Sequence, residues 1–166
     1  MAKPINDIVR DITRKHSDIT EIRVIPAARI SLADWVGLKC MYGCTKYAKS
    51  WSCPPAAPSK DEAGRILKEY RTVLFVSLRP GNHDDTVLDI ERMLFKEGYY
   101  RAFGFFTSPC SFCKSCAYPK ECRHPEKKRP TSEALGIDII RTARNIGIKL
   151  EMTEKPPFVN TIVLID

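Results

Sequence analysis

The cysteines are the residues of this chain whose type and spacing could do chemistry. The seven cysteines form an early group, Cys40, Cys44 and Cys53, and a late group, Cys110, Cys113, Cys116 and Cys122. Cysteines used only as small buried apolar residues would be scattered through helices and strands. These lie in stretches dense with Pro, Gly, Ser, Lys and Tyr, which are hardly compatible with regular structure. Their distribution therefore indicates that they are metal ligands.

The late group begins with three cysteines at two-residue spacing, in the motif Cys-Ser-Phe-Cys-Lys-Ser-Cys. Bacterial ferredoxins hold three corners of a [4Fe-4S] cluster with this spacing and take the fourth ligand from a cysteine that usually precedes proline. Cys122 is the nearest candidate for the fourth ligand, but Arg123 follows it. Cys53 is distant, but Pro54 follows it. We favour Cys122, although the sequence leaves both open.

Zinc is the alternative metal for these thiols. Structural zinc sites typically use two separated Cys-x2-Cys pairs in a tetrahedral arrangement, so three overlapping cysteines suit a cluster better. Disulfides are disfavoured because we expect a reducing compartment and because an odd number of cysteines leaves one thiol over. The late group therefore predicts a [4Fe-4S] cluster, with zinc as the alternative and unmetallated thiols as the third reading.

The early group supplies only three thiolates. Three ligands can hold a cluster while leaving one iron open to a substrate or another ligand. Alternatively, Cys40, Cys44 and Cys53 complete or shield a single cluster, so the sequence predicts one or two clusters. The Cys-x3-Cys-x2-Cys spacing of radical enzymes that bind S-adenosylmethionine is not met, because eight residues separate Cys44 from Cys53.

Positive charge is concentrated beside the cysteines of this chain, whose net charge is +7. Nearby cations stabilise thiolates. Arg123, Arg129 and Ser132 surround the start of a predicted helix and form a candidate anion site, although Glu133 could satisfy the same backbone donors. His124 follows Cys122 closely enough to be a ligand, but a solvated loop histidine is the simpler interpretation.

Periodicity predicts alternating helices and strands. The predicted elements are a helix from Pro4, the strand EIRVIP, a helix from Ser59 with Glu62 as a capping box, the strand TVLFVSL, a helix from Asp84 to Gly98, the strand YRAFGFF, a helix from Pro130 to Gly147, and the strands IKLEM and TIVLI. Residues 27–58 read as a long irregular stretch. This order indicates an α/β sandwich with a mixed sheet and two cysteine-rich metal-binding loops, in one domain over residues 1–166.

The termini and the apolar runs predict a cytoplasmic protein. The first ten residues carry charge and a proline where a secretory signal needs an apolar stretch. No run approaches the ~20 apolar residues of a membrane span. We therefore expect no membrane partner.

Both cysteine segments resemble a known family. The residues that carry the likeness are the early cysteines ending in Cys53-Pro54-Pro55, and Cys110, Cys113, Cys116 and Cys122 with Arg123, Pro125, Arg129, Pro130, Glu133, Ala134 and Gly136. The chain resembles a family of small, cysteine-rich predicted metal-binding proteins of unknown function from anaerobic bacteria and archaea. The resemblance implies metal binding, an iron-sulfur cluster and an anaerobic host, but no reaction.

The sequence thus predicts an iron-sulfur protein that transfers electrons or handles a small ligand or sulfur at an open iron. Its partner would be a redox protein or a small anionic substrate, and whether it is an enzyme stays open. A structural zinc module that contacts nucleic acid and a metallochaperone are the alternatives. Nucleic acid is disfavoured because the basic residues flank the cysteines and no recognition motif accompanies them.

Overall fold

A computed structural model describes residues 3–151 and 153–166 of the chain. The helices are α1 (Ile5–Lys15), α2 (Asp34–Gly43), α3 (Lys60–Leu67), α4 (Asp84–Lys96) and α5 (Ile139–Asn145). The strands are β1 (Ile19–Pro26), β2 (Thr72–Leu78), β3 (Phe103–Gly104) and β4 (Val159–Leu164). Short 3-10 turns occupy Ala27–Arg29 and Glu133–Leu135. The predicted α/β class is confirmed.

The four strands form one sheet in the order β1-β2-β4-β3, in which every neighbouring pair is antiparallel. The expectation of a mixed sheet is therefore wrong. β2 and β3 both pair with β4 in the opposite direction, so they run parallel to each other, with α4 as the connection between them. β4 lies between them and separates what would have been a parallel pair. The sequence predicts β2, α4 and β3 in this order, but it does not indicate that β4 pairs between the two strands.

Helices cover both faces of the sheet. The buried side chains of β2 alternate between these two faces. Val73 and Phe75 belong to the core beneath α3 and α5, and both are fully buried. Leu74 and Val76 belong to the opposite core, beneath α1 and α4. Successive residues of a strand point to opposite faces, so a continuous apolar run is what a strand covered on both sides requires.

Three helices begin as the sequence predicts. α1 follows Pro4 and buries Ile8 and Ile12. The capping box of α3 is present, because the Ser59 hydroxyl accepts from the Glu62 N–H and the Glu62 carboxylate accepts from the Ser59 N–H. α4 begins at Asp84. These signals are local, and the local chain conformation follows them.

The early cysteine segment is less irregular than predicted. α2 lies within the stretch 27–58 and carries Cys40, while Cys44 is the residue that caps its C-terminal end. Trp35, Leu38 and Tyr42 of this helix are exposed. Apolar side chains thus occur on the exposed side as well as at buried Val36. Such a helix lacks the one-sided apolar stripe by which helices are recognised.

The predicted helix from Pro130 to Gly147 is interrupted. A 3-10 turn at Glu133–Leu135 ends at Gly136, whose φ is 74°. A Cβ atom at that glycine would lie 2.8 Å from Cγ of Lys60. The chain therefore turns there, and Asp138 caps the separate helix α5 by accepting from the Arg141 N–H at 2.8 Å.

Two predicted strands differ from the structure. The strand expected over YRAFGFF is reduced to Phe103–Gly104, with Phe106 in an isolated bridge to Thr131. Residues 148–151 of the expected strand IKLEM are not in a strand, and its last residue, Met152, lies outside the described residues. Among the helices described, none has the length and apolar character to cross a bilayer.

Candidate metal centre

The late cysteines lie in an irregular segment, 107–130, whose two ends are held together. The Phe106 N–H donates to the Pro130 carbonyl at 2.9 Å, next to the bridge between Phe106 and Thr131. The segment therefore forms a loop closed against the edge of the sheet beside β3. Loops fixed at both ends are where proteins commonly place their functional groups.

All four late cysteines line one small cavity within this loop. Its lining includes Cys110, Cys113, Cys116 and Cys122, together with Trp51, Phe112, Ala117, Arg123, His124 and Lys128. The cavity has a volume of about 20 Å³. Of the two candidates for a fourth ligand of the late group, Cys122 is the one that faces this cavity. His124 also lines it, with its ring 6.4 Å from that of Phe112.

The thiol of Cys116 is surrounded by hydrogen-bond donors. Burial opposes its ionisation, but the nearby backbone N–H groups of Tyr118, Trp51 and Ala117 and the hydroxyl of Ser50 lower its pKa. Donors directed at a sulfur favour the thiolate, which is the form that binds metal. The surroundings of Cys116 are therefore suited to a charged ligand.

The environment of Cys110 disfavours its thiolate form. Burial raises its pKa, the Phe112 N–H opposes this effect, and the negative charges of Asp84 and the neighbouring thiolates raise it further. Groups that repel one another when ionised bind a common cation favourably, because the cation neutralises all of them. A positive ion in the cavity would therefore favour the thiolate of Cys110.

Residues 50–53 lie beside the late centre, and Trp51 belongs to the lining of its cavity. Ser50 and Ser52 are buried, with 3% and 0% of their surfaces exposed. The Ser50 hydroxyl contacts the sulfurs of both Cys53 and Cys116. The Ser52 hydroxyl accepts from the Cys110 N–H at 3.2 Å. The two cysteine segments are therefore in contact, and serines that the cysteine spacing does not single out lie between them.

Trp51 covers the late centre from the same segment. Its indole N–H donates to the Lys120 carbonyl at 3.0 Å, and its ring meets Tyr118 edge-on with 5.1 Å between centroids. Nζ of Lys128 lies 4.1 Å from the centre of the indole ring. A large ring held in this way limits the access of water to the sulfurs, a property that tunes metal sites.

Asp84 is a functional candidate that the sequence reading missed. Its carboxylate is buried at the start of α4 and accepts from the N–H and the hydroxyl of Ser111, at 2.8 and 2.7 Å. Burial raises the pKa of Asp84, and the two bonds from Ser111 oppose that shift. The sequence shows only an acidic first helical turn, which usually complements the helix dipole. Here Asp84 fixes the residue that follows Cys110.

The early cysteines are arranged differently. Cys40 is half-buried on α2, Cys44 is exposed, and Cys53 is 5% exposed. Burial raises the pKa of Cys53 to about 11 against the effect of Ser50, and the other two thiols raise it further. Burial also raises the pKa of Cys40, helped by the charges of Cys44 and Glu133. The early thiols are neighbours, but they lie outside the lining of the late cavity.

The chemistry of the donor set fits a thiolate-bound metal. All seven cysteines are free thiols. Within residues 3–151 and 153–166, no group of three or more Cys, His, Asp or Glu side chains is already arranged to hold an ion. Tetrahedral zinc with bonds of about 2.3 Å would bring its sulfurs to about 3.8 Å from one another. A four-iron cube binds each sulfur at a different iron and so allows wider separation.

The candidate anion site has other partners in the structure. Arg129 makes a paired salt bridge to Glu91, with N–O distances of 2.6 and 2.9 Å. Ser132 is fully buried, and its hydroxyl lies 3.4 Å from that of Thr161. Arg123 is exposed and donates to the Ser115 carbonyl at 3.0 Å. The 3-10 turn at Glu133–Leu135 replaces the predicted helix start, so binding of an anion there stays a prediction.

Fold and site together define a small α/β protein with a cysteine-lined centre. The sequence model of the family described as "Predicted metal-binding protein (DUF2284)" matches residues 23–165, and the chain belongs to this family. The resemblance noted from the cysteine motifs is thereby confirmed, and the matched residues include both cysteine groups. No curated protein and no solved structure matches the chain.

Proposed function

We propose that the late group binds a [4Fe-4S] cluster through Cys110, Cys113, Cys116 and Cys122 and that the protein uses it to transfer electrons. The observation that carries this proposal is the convergence of these four free thiols on one cavity. Their Cys-x2-Cys-x2-Cys spacing supports a cluster over a single ion. A bound cluster would supply one-electron chemistry, at a potential set by burial and by hydrogen bonds to its sulfurs.

The surrounding residues support an electron-transfer site. Donors from Ser50 and from three backbone N–H groups reach the sulfur of Cys116, and such bonds stabilise the more negative, reduced state of a metal-thiolate centre. Trp51 and Phe112 line the same cavity and limit solvent access. The early group is proposed to supply a second cluster or an open iron for a small ligand, or else to shield the first.

Binding of the cluster requires the late loop to open. The cavity of about 20 Å³ exceeds by little the ~10–15 Å³ that one water needs, whereas a cube has eight inorganic atoms. The loop 107–130 could move its sulfurs outward without breaking the sheet, because it is irregular, but the contacts of Ser111 with Asp84 and of Lys120 with Trp51 would have to adjust. We therefore expect the cluster to reshape this loop and to leave the α/β frame unchanged.

The test is a metal count on protein purified without oxygen. Iron, acid-labile sulfide and zinc are measured per chain, together with the visible absorption spectrum. About four irons and four sulfides per chain are expected for one cube, and about eight of each for two. A colourless, air-stable protein that holds zinc without sulfide would overturn the proposal.

A structural zinc site is the second candidate. The volume of the cavity favours it, because about 20 Å³ suits one ion better than a cube. In that case the four thiols would close around the ion and stabilise the folded loop without redox chemistry. The same metal count separates the two candidates, since zinc sites contain no inorganic sulfide.

A further inference from the structure

A second, larger cavity lies beside the cysteine centre. Its volume is about 520 Å³, and it is bounded by α3 on one side and by residues of the segment 125–130 on the other. Buried Ile137 belongs to its floor, and the rings of Tyr70, Phe103 and Phe105 belong to its walls. Sites for small molecules are typically ~300–1,000 Å³ in volume and mostly apolar. This cavity has both properties.

The cavity adjoins the late centre and reaches the surface. Trp51 and Lys128 line both the large cavity and the small cysteine-lined one. The indole ring therefore stands between the two spaces. Ile66 and Pro125, which also line the large cavity, are exposed. A molecule from solution could thus enter it and contact the same tryptophan that covers the cysteines.

One cation at this apolar cavity has no carboxylate partner among the described residues. Arg129 lines it too, but the carboxylate of Glu91 holds that guanidinium through two bonds. Lys128 forms no salt bridge within the described ranges 3–151 and 153–166, and its Nζ lies over the ring of Trp51. A cation beside apolar and aromatic walls is complementary to a ligand with an apolar body and one negative group.

We propose that this cavity binds an aromatic carboxylate. The ring system packs among Trp51, Phe103 and Tyr70, and the carboxylate pairs with the ammonium group of Lys128. The volume of about 520 Å³ is within the range for small-molecule sites, so a ligand with two fused rings fits inside it. The proposal does not depend on which metal the late centre binds, since it involves no redox step.

The experiment compares two probes of nearly the same shape. Binding of 2-naphthoate and of its neutral analogue 2-naphthamide to the purified full-length protein is measured by titration calorimetry. We expect 2-naphthoate to bind at least about 10-fold more tightly, because Lys128 attracts its charge. Equal affinity for the two probes, or binding of neither at millimolar concentration, would overturn the proposal.

Variants locate the site. Lys128→Met should weaken 2-naphthoate binding about 10-fold and leave 2-naphthamide unaffected, while Lys128→Arg should retain binding. Lys68→Met is the matched control, because Lys68 is exposed and outside the lining. Ala56→Trp, at a half-buried lining position, should block both probes. Circular dichroism and metal content verify that each variant is folded and loaded. Unchanged binding in Ala56→Trp would place the probe elsewhere and refute the assignment.

A second copy of the chain is the competing occupant. If the cavity instead forms an interface between copies, the protein sediments as a dimer and Ala56→Trp converts it to a monomer. That result, without displacement of the dimer by 2-naphthoate, would also overturn the proposal. A monomer that binds 2-naphthoate in the manner described supports it.

Discussion

The two cysteine groups both lie next to Ser50, but the surroundings of their thiols and the pKa values of those thiols differ. In the late group, four thiols line one cavity, and donors lower the pKa of Cys116. In the early group, a buried thiol, a helical thiol and an exposed thiol lie side by side, and burial raises the pKa values of Cys53 and Cys40. Cys116 of the late group is therefore prepared for ionisation, whereas Cys53 and Cys40 of the early group resist it.

This difference has an energetic consequence for metal binding. The pKa of Cys53 is about 11 compared with an ordinary 9.0, which is a difference of about two units. Deprotonating Cys53 at neutral pH therefore costs on the order of 3 kcal/mol more than deprotonating an ordinary thiol. We expect the late group to load first, and the early group to load only with a metal that binds strongly enough to offset this cost.

The largest expected effect tests which group holds the resident metal. Cys113→Ser removes a thiol from the late cavity and should abolish the late cluster, with iron falling by at least about 10-fold if it is the sole cluster. Cys44→Ser is the matched control, because Cys44 is exposed and outside that cavity. Iron content and visible spectrum are compared in the two variants. Wild-type values in Cys113→Ser would contradict the assignment.

The second prediction concerns the reactivity of thiols in metal-free, reduced protein. At pH 8 about one molecule in a thousand carries the Cys53 thiolate if its pKa is about 11, whereas the lowered pKa of Cys116 makes its thiolate more abundant. Cys116 should therefore be labelled faster than Cys53, although the greater intrinsic nucleophilicity of the more basic thiolate reduces the difference in rate. Burial of Cys53 acts in the same direction.

Iodoacetamide labelling followed by mass spectrometry measures these rates. The rate at Cys53 should still be rising at pH 10, because its thiolate fraction increases until the pH passes the pKa. The rate at Cys116 should level off at a lower pH. If Cys53 is labelled as fast as Cys116 at pH 8, the expected difference between the pKa values of these two thiols is wrong.

The smallest effect is expected at the hydroxyl that joins the groups. Ser50→Ala removes a hydroxyl that helps to lower the pKa of Cys116, so that pKa should rise. Its labelling at pH 8 should slow by several-fold. Ser115→Ala is the control, since this exposed neighbour has no side-chain hydrogen bond within the described part of the chain. An equal effect in both variants would show that Ser50 plays no special part.

Local sequence signals were enough for much of the frame. The isoleucines of α1, the capping box at Ser59 and Glu62, and the apolar run of β2 each depend on residues within a few positions of one another. The insertion of β4 between β2 and β3 depends on pairings across the whole chain, such as Phe75 with Ile162. Neither propensity nor periodicity encodes such a pairing.

The candidate site was also predictable only where the signal is local in the sequence. The spacing of the late cysteines indicated a common centre, and they do line one cavity. Ser50, which reaches Cys116 from 66 positions earlier in the chain, and Asp84, which fixes Ser111 from the start of α4, were not identified. An isolated serine or a helix-start aspartate has no distinctive spacing, so only the folded arrangement reveals its role.

The position of β4 in the sheet has a consequence for biosynthesis. This strand is the last in the sequence, yet β2 and β3 meet only through it. Ribosomes add ~5–20 residues per second, so a nascent chain emerges with every cysteine before residues 159–164 can join the edges of its unfinished sheet. During that interval the sheet that supports the cysteine segments is incomplete. Metal binding by the finished centre should therefore follow the synthesis of residues 159–164 and their pairing with β2 and β3.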